Sequence, residues 1–188
     1  FDFAAIAARQ NEADWTGLAR LLGQAAKGLA DAGAEGLVIA TNTMHLVAAD
    51  VEKASGLPVL HIAQAAGMAA RESGCARVGL LGTRFTMETG VYADELHARF
   101  GIQSLIPDDA DRDFVHHAIY EELVRGVFRD ETRRGFARVI ARLAEAGAEG
   151  VILGCTEIPL LVKAEDADLP LFDTTALHCR MALDWMTA

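Results

Sequence analysis

Cysteine is scarce. The three present, Cys75, Cys155 and Cys179, are too few and too scattered for a disulfide framework or a zinc site, so no metal is expected. A reducing cytoplasm is the natural expectation, which leaves the question of whether any of the three is chemically active. Basic residues are also outnumbered, 17 Lys and Arg against 27 Asp and Glu, and the net charge of −10 sets aside nucleic acid and anionic membranes as partners. A small anionic ligand is not set aside, because a site can concentrate backbone N–H groups whatever the global sign. No apolar run approaches the ~20 residues that a membrane span requires. The opening stretch, FDFAAIAARQ, has neither the basic start nor the apolar core of a signal peptide, and it has no initiator Met. No Ser/Pro-rich linker or low-complexity tract divides the chain.

What remains is a chain of 188 residues, 52% hydrophobic and 23% charged, ample for a packed core. Short apolar runs alternate with stretches of helical period, which is the pattern of βα units and a parallel sheet. Strands are expected at Leu37–Ala40, Val59–Ile62, Val78–Leu81, Ile102–Ile106, Val151–Leu153 and Leu171–Phe172. Helices are expected over Glu12–Ala32, Thr86–Phe100, Asp111–Arg125 and Glu131–Ala146, with Gly33 and Gly147 placed as C-terminal caps.

Those two caps belong to an internal repeat. Residues 29–45 read LADAGAEGLVIATNTMH and residues 143–159 read LAEAGAEGVILGCTEIP; at a shift of 114, seven of the first eight positions are identical. A second pair, LPVLHIA at 57–63 and LPLFDTT at 169–175, follows at a shift of 112. Two matches in the same order at nearly one offset imply duplication. The register sets Thr41 opposite Cys155, Asn42 opposite Thr156 and Thr43 opposite Glu157. The halves are drawn at 1–73 plus 174–188 and at 74–173. The strand at Val78 has no counterpart after residue 1, and Phe1–Phe3 is read as the tail of a strand matching Ile102. On that reading about 40 residues of a complete duplicated protein precede the sequence given.

Ligands of open parallel sheets bind beyond the carboxyl ends of the strands. Three turns take that position: Thr41-Asn42-Thr43, Gly82-Thr83 and Cys155-Thr156-Glu157. Each follows an apolar strand and leads into a helix start, so N–H groups and hydroxyls are aimed where a carboxylate would sit. The same field is expected to lower the pKa of Cys155 and make it a thiolate near neutral pH. A Cys at the end of a buried strand is more often a small hydrophobe than a catalyst, and threonines after strands often only cap helices. Recurrence of the polar turns in duplicate among wholly apolar strands favours the site. Cys75 and Cys179 lack that setting and read as structural. His97, His116 and His117 read as solvated helix residues, and His45, His61 and His178 read as structural.

ATNTMH at 40–45, LLGTRFTM at 80–87 and GCTEIPLL at 154–161 resemble the three motifs of the aspartate/glutamate racemase family, over essentially the whole chain. Glu157, standing where glutamate racemases usually carry His, makes the resemblance nearer to the aspartate racemase branch. The resemblance implies two pseudo-symmetric α/β domains, each a parallel sheet flanked by helices, with the first incomplete at its N-terminus. It implies a small-molecule amino-acid substrate, no pyridoxal phosphate or other cofactor, and a homodimer. It also implies one acid–base group from each half, here Cys155 and Thr41, with Asn42, Thr43, Thr83 and Thr156 as donors to the substrate carboxylate. Glu157, Gln10 and Thr86 resemble further binding positions, and Met87 a cleft residue.

The physical logic agrees, since inverting a stereocentre by proton exchange needs an acid or base on each face. Thr41, however, stands where the family carries its first cysteine, and a hydroxyl is a poor base at neutral pH. Racemisation easier from the face that Cys155 addresses is therefore expected. Two alternatives stand beside it: an enzyme resembling arylmalonate decarboxylases, in which one thiol protonates a carbanion, and a truncated homologue that only binds ligand.

Overall fold

The computed structural model describes all residues, Phe1–Ala188, and divides them into two compact units. The first holds Phe1–Ile39 and Met44–His61; the second holds Ala40–Thr43 and Ile62–Ala188. No helix is long and apolar enough to cross a membrane.

The first unit contains α1 (Phe3–Asn11), α2 (Trp15–Asp31), β1 (Leu37–Val38), α3 (Ala48–Ser55) and β2 (Val59–Leu60). Strands β1 and β2 pair in parallel. Leu18, Ala26, Val47, Val51 and Val59 form its apolar centre with Met44 and Ile6. At Gly23 on α2, an added Cβ would lie 2.9 Å from the Ala54 Cβ, so this helix lies directly on α3. The expected single helix over Glu12–Ala32 is broken near its start. Ala13 takes a left-handed φ of 54°, and Asp14 then caps α2 by accepting from the Gly17 N–H at 2.9 Å. The expected strand at Phe1–Phe3 is also absent, because the Asp2 carboxylate caps the Ala4 N–H and Phe3 already opens α1.

The second unit contains α4 (Ile62–Glu72), β3 (Arg77–Gly82), α5 (Arg84–Glu88), α6 (Ala93–Phe100), β4 (Gln103–Leu105), α7 (Asp109–Glu121), α8 (Asp130–Glu145), β5 (Val151–Gly154), α9 (Ile158–Leu161), β6 (Leu171–Asp173) and α10 (Thr174–Met186). Its four strands run in the order β4-β3-β5-β6, all parallel. Val78, Leu80, Leu81, Val151 and Ile152 are almost wholly buried, as near-continuous apolar runs in a covered parallel sheet should be. Helices α7 and α8 pack on β3, and α10 packs on β5 and β6. Gly90, with φ 75°, breaks the helix expected over Thr86–Phe100 into α5 and α6. The helix expected over Asp111–Arg125 starts earlier, where Asp108 caps Asp111, and its last residues form a separate 3₁₀ turn.

The α/β class with parallel sheets flanked by helices is therefore as expected, and all six strands fall where the apolar runs placed them. The repeated segments also make the same bonds. After α2, the Gly33 N–H donates to Ala30 and the Ala34 N–H to Leu29; after α8, Gly147 donates to Ala144 and Ala148 to Leu143. Gly33 and Gly147 take φ of 93° and 96°, which confirms them as the capping glycines. Leu37 pairs with Val59, and at the repeat shifts their counterparts Val151 and Leu171 pair in turn. Helices α4 and α10, both drawn in the first half, pack against each other and belong to the second compact unit.

Candidate active site

In the second unit, β3 and β5 end side by side, Gly82 in register with Gly154. Neither position has room for a side chain. A Cβ on Gly82 would lie 2.9 Å from the Gly154 carbonyl oxygen, and one on Gly154 would lie 2.9 Å from that of Leu81, both also crowding Thr86. Thr86 can thus sit directly over the paired strand ends, held there by the cap of α5, where Thr83 Oγ1 accepts from the Thr86 N–H at 3.3 Å.

Thr43 completes a cluster above this pair. Its Oγ1 lies 3.3 Å from Thr83 Oγ1 and 3.1 Å from Thr86 Oγ1, while the last two are 3.2 Å apart. All three side chains are buried. Each hydroxyl is both donor and acceptor, so the triangle satisfies itself and can also turn its protons outward to an anion.

Asn42 is fixed by a different set. Its side-chain amide donates to Thr174 Oγ1 at 3.2 Å and its carbonyl accepts from the Tyr92 hydroxyl. Thr174 in turn donates to the Leu153 carbonyl at 2.8 Å, tying Asn42 to the end of β5. Tyr92 is completely buried, and burial drives its phenol well above the ordinary tyrosine range. Sequence reasoning missed both Tyr92 and Thr174. A signal existed for Thr174, which stands in the second LP repeat where the first has the apolar Ile62.

Cys155 follows β5 directly and is buried. Its Sγ donates to Glu157 Oε2 at 3.0 Å. The expected lowering of its pKa is reversed. Burial pushes the thiol far up, and the neighbouring Glu157 carboxylate pushes it further. The backbone N–H groups of Glu157 and Ile158 do favour the thiolate, as the turn geometry suggested, but a four-residue α9 offers too little to outweigh the other two. At rest Cys155 is a neutral thiol. Tyr120 on α7 is half-buried, and burial raises its phenol's pKa.

The remaining expected residues distribute as follows. Thr41 and Thr156 are both half-buried, immediately before Asn42 and immediately after Cys155. Met87 is buried on α5. Gln10 belongs to the first unit, where its amide donates to the Met44 thioether at 3.3 Å. Cys75 is buried, with its thiol directed at the Glu149 carbonyl, while Cys179 is exposed on α10. His45 and His61 meet edge to face within the first unit, with ring centroids 4.6 Å apart. His97 and His117 are exposed, but His116 is not the solvated residue expected: its Nδ1 accepts from the Arg84 N–H at 3.2 Å.

The sequence model of the Asp/Glu/Hydantoin racemase family matches residues 2–182. The chain belongs to this family. A crystal structure of a candidate Asp/Glu racemase from Yersinia pestis is 48% identical, with a TM-score of 0.92 over 100% of this chain and 82% of that one. The structure of an aspartate racemase homologue from Pyrococcus horikoshii is 34% identical, with a TM-score of 0.82 over 95% of this chain and 78% of that one. A glutamate racemase of Thermus thermophilus is 32% identical over 152 residues, 79% of this chain and 54% of that protein. The two solved structures thus share this chain's fold over nearly its whole length.

Proposed function

We propose that this chain is a cofactor-independent amino-acid racemase acting on aspartate, glutamate or both. The observation that carries the reading is the Cys155 thiol bonded to Glu157 beside a strand end shared with three convergent threonine hydroxyls. In this reading the triangle of Thr43, Thr83 and Thr86 turns outward to hold the substrate carboxylate. Its donors then meet the negative charge that develops when the α-proton leaves. Asn42, oriented by Tyr92 and Thr174, and Thr156 complete the polar wall, and Met87 lines it.

Proton transfer follows from the Cys155–Glu157 pair. The resting thiol is a donor, ready to protonate the carbanion from its own face. To act as a base it must first release its proton, and Glu157, which is half-buried and already accepts from Sγ, takes it. Cys155 then removes the α-proton while Thr41 gives its hydroxyl proton to the other face. Before the next turnover the Thr41 oxygen takes a proton from solvent and Glu157 releases one to it. Thr41 and Cys155 hold equivalent places after repeated strands, as one duplicated unit would supply them. The hydroxyl is the weaker partner, so the two directions run at unequal rates.

The test is incubation with L- and D-aspartate and L- and D-glutamate in deuterated water. NMR follows loss of the α-proton, and chiral chromatography follows the enantiomers. Exchange with inversion that disappears in Cys155→Ser supports the reading; a folded protein that exchanges no substrate ends it. One observation favours a second reading. A neutral thiol opposite a threonine also suits one-sided protonation after loss of carbon dioxide, as in an arylmalonate-decarboxylase-like enzyme. Release of carbon dioxide from a disubstituted malonate, without amino-acid exchange, would select it.

A further inference from the structure

Helix α5 carries two of the three clustered hydroxyls, Thr83 at its cap and Thr86 one turn in. Between them lies Arg84, whose backbone N–H is among the first of the helix and has no partner within it. That N–H donates to Nδ1 of His116, which projects from α7. The imidazole is set by its own surroundings. It tilts against Tyr120 with centroids 4.8 Å apart and meets Phe85 edge-on at 6.4 Å. The side chains of α5 and α7 add to the same seam: Arg84 pairs with Asp113, and Arg112 Nε reaches Glu88 at 2.9 Å. In those pairs the two arginines are half-buried and the carboxylates exposed. The bond to His116 is made by the backbone itself.

We infer that His116 is a positioning residue for the threonine triangle, its Nδ1 lone pair fixing the Thr83–Thr86 turn through the Arg84 N–H. The inference rests on the racemase reading for its kinetic consequence, but the contact itself does not. Only a neutral ring, with its proton on Nε2, can accept at Nδ1. The charged and titratable groups around the ring are Arg84 and Glu88 on α5 and Asp113, His117 and Tyr120 on α7. Burial and the Arg84 cation hold the imidazole neutral to lower pH than usual, against the opposing pull of Asp113 and Glu88. The contact is therefore intact at neutral pH and breaks as pH falls below the ordinary imidazole range. The two donors then face each other, and the turn carrying Thr83 and Thr86 loosens.

The experiment pairs His116→Leu, which removes the acceptor, with His116→Asn, which keeps an oxygen at the δ position and does not titrate. NMR follows the Arg84 amide from pH 8 to pH 5 in the full chain, and racemase kinetics are measured over the same range. The Arg84 amide of the wild type is expected to shift with the protonation of His116, and to lose that pH dependence in both variants. His116→Leu is expected to lower kcat/KM about 10-fold, mainly through KM, with His116→Asn restoring most of it and flattening the acid limb. An Arg84 amide indifferent to His116 protonation would overturn the inference. So would a His116→Leu enzyme with wild-type KM. If the wild type exchanges no amino acid, the racemase reading fails, and the Arg84 amide still decides for or against the anchor.

Discussion

The Cys155 thiol donates to the Glu157 carboxylate across 3.0 Å, two residues further along the same turn. Burial first and this carboxylate second hold the sulfur protonated, with consequences measurable in two ways. Glu157→Gln keeps a polar partner but removes the negative charge, the second largest cause of the raised thiol pKa. The thiol should then titrate at lower pH and be alkylated faster at a fixed pH, while burial keeps it above an ordinary cysteine. If alkylation by iodoacetamide is no faster than in the wild type, the carboxylate is not what holds the proton.

The same shift sets a pH dependence of stability. A thiol whose pKa is raised on folding contributes fully below its unfolded value, about 8.5, and loses that contribution as pH climbs toward the folded value. Thermal unfolding should therefore fall in midpoint above that pH. Cys155→Ala should flatten the decline, read by calorimetry across pH 7–10. The buried Tyr92 phenol, raised in the same direction, contributes a further loss at higher pH that the variant leaves in place.

Thr41→Cys supplies a competent base where the wild type has a hydroxyl. It should raise the slower direction of racemisation by about 10-fold or more and bring the two directions closer together, because thiols ionise far more readily than alcohols. Initial rates from each pure enantiomer check this. An unchanged ratio would remove Thr41 from the second face.

Tyr92→Phe deletes the donor to the Asn42 carbonyl and leaves that buried oxygen unpartnered. The cost should be about 1–3 kcal/mol, measured by denaturant unfolding, with a raised KM because Asn42 loses its orientation. A stable variant with normal KM would show that Thr174 alone orients Asn42.

Gly154→Ala places a methyl 2.9 Å from the Leu81 carbonyl and against Thr86, in backbone that cannot yield. Overpacking here should cost about 1–3 kcal/mol and displace Thr86. Unfolding midpoints and KM should both move; a neutral substitution would mean that the strand ends separate more freely than their pairing implies.

Much of this was legible in the residues, and what was not has identifiable causes. The six strands were found because each is an apolar run between polar turns, and the two cap glycines because the repeat shows them twice. The helix starting at Trp15 was drawn too long, since the break at Ala13 is a positive φ in a residue whose type gives no warning. The turns at Thr43, Thr83 and Cys155 were identified, but the thiol's charge state was not. Motif reading registers the helix start that lowers its pKa; the burial and the Glu157 contact that raise it depend on side-chain packing. Tyr92 and His116 reach their partners from α6's leading turn and from α7, 50 and 32 residues away in sequence, a separation no local pattern encodes.

The triangle of Thr43, Thr83 and Thr86 has one more consequence. In the proposed role it is an anion cradle built without a cation: its donors are neutral, and none of the three side chains carries charge at any accessible pH. A carboxylate held there gains hydrogen bonds rather than a long-range Coulomb attraction, so ionic strength should weaken its binding far less than it would a lysine or arginine site.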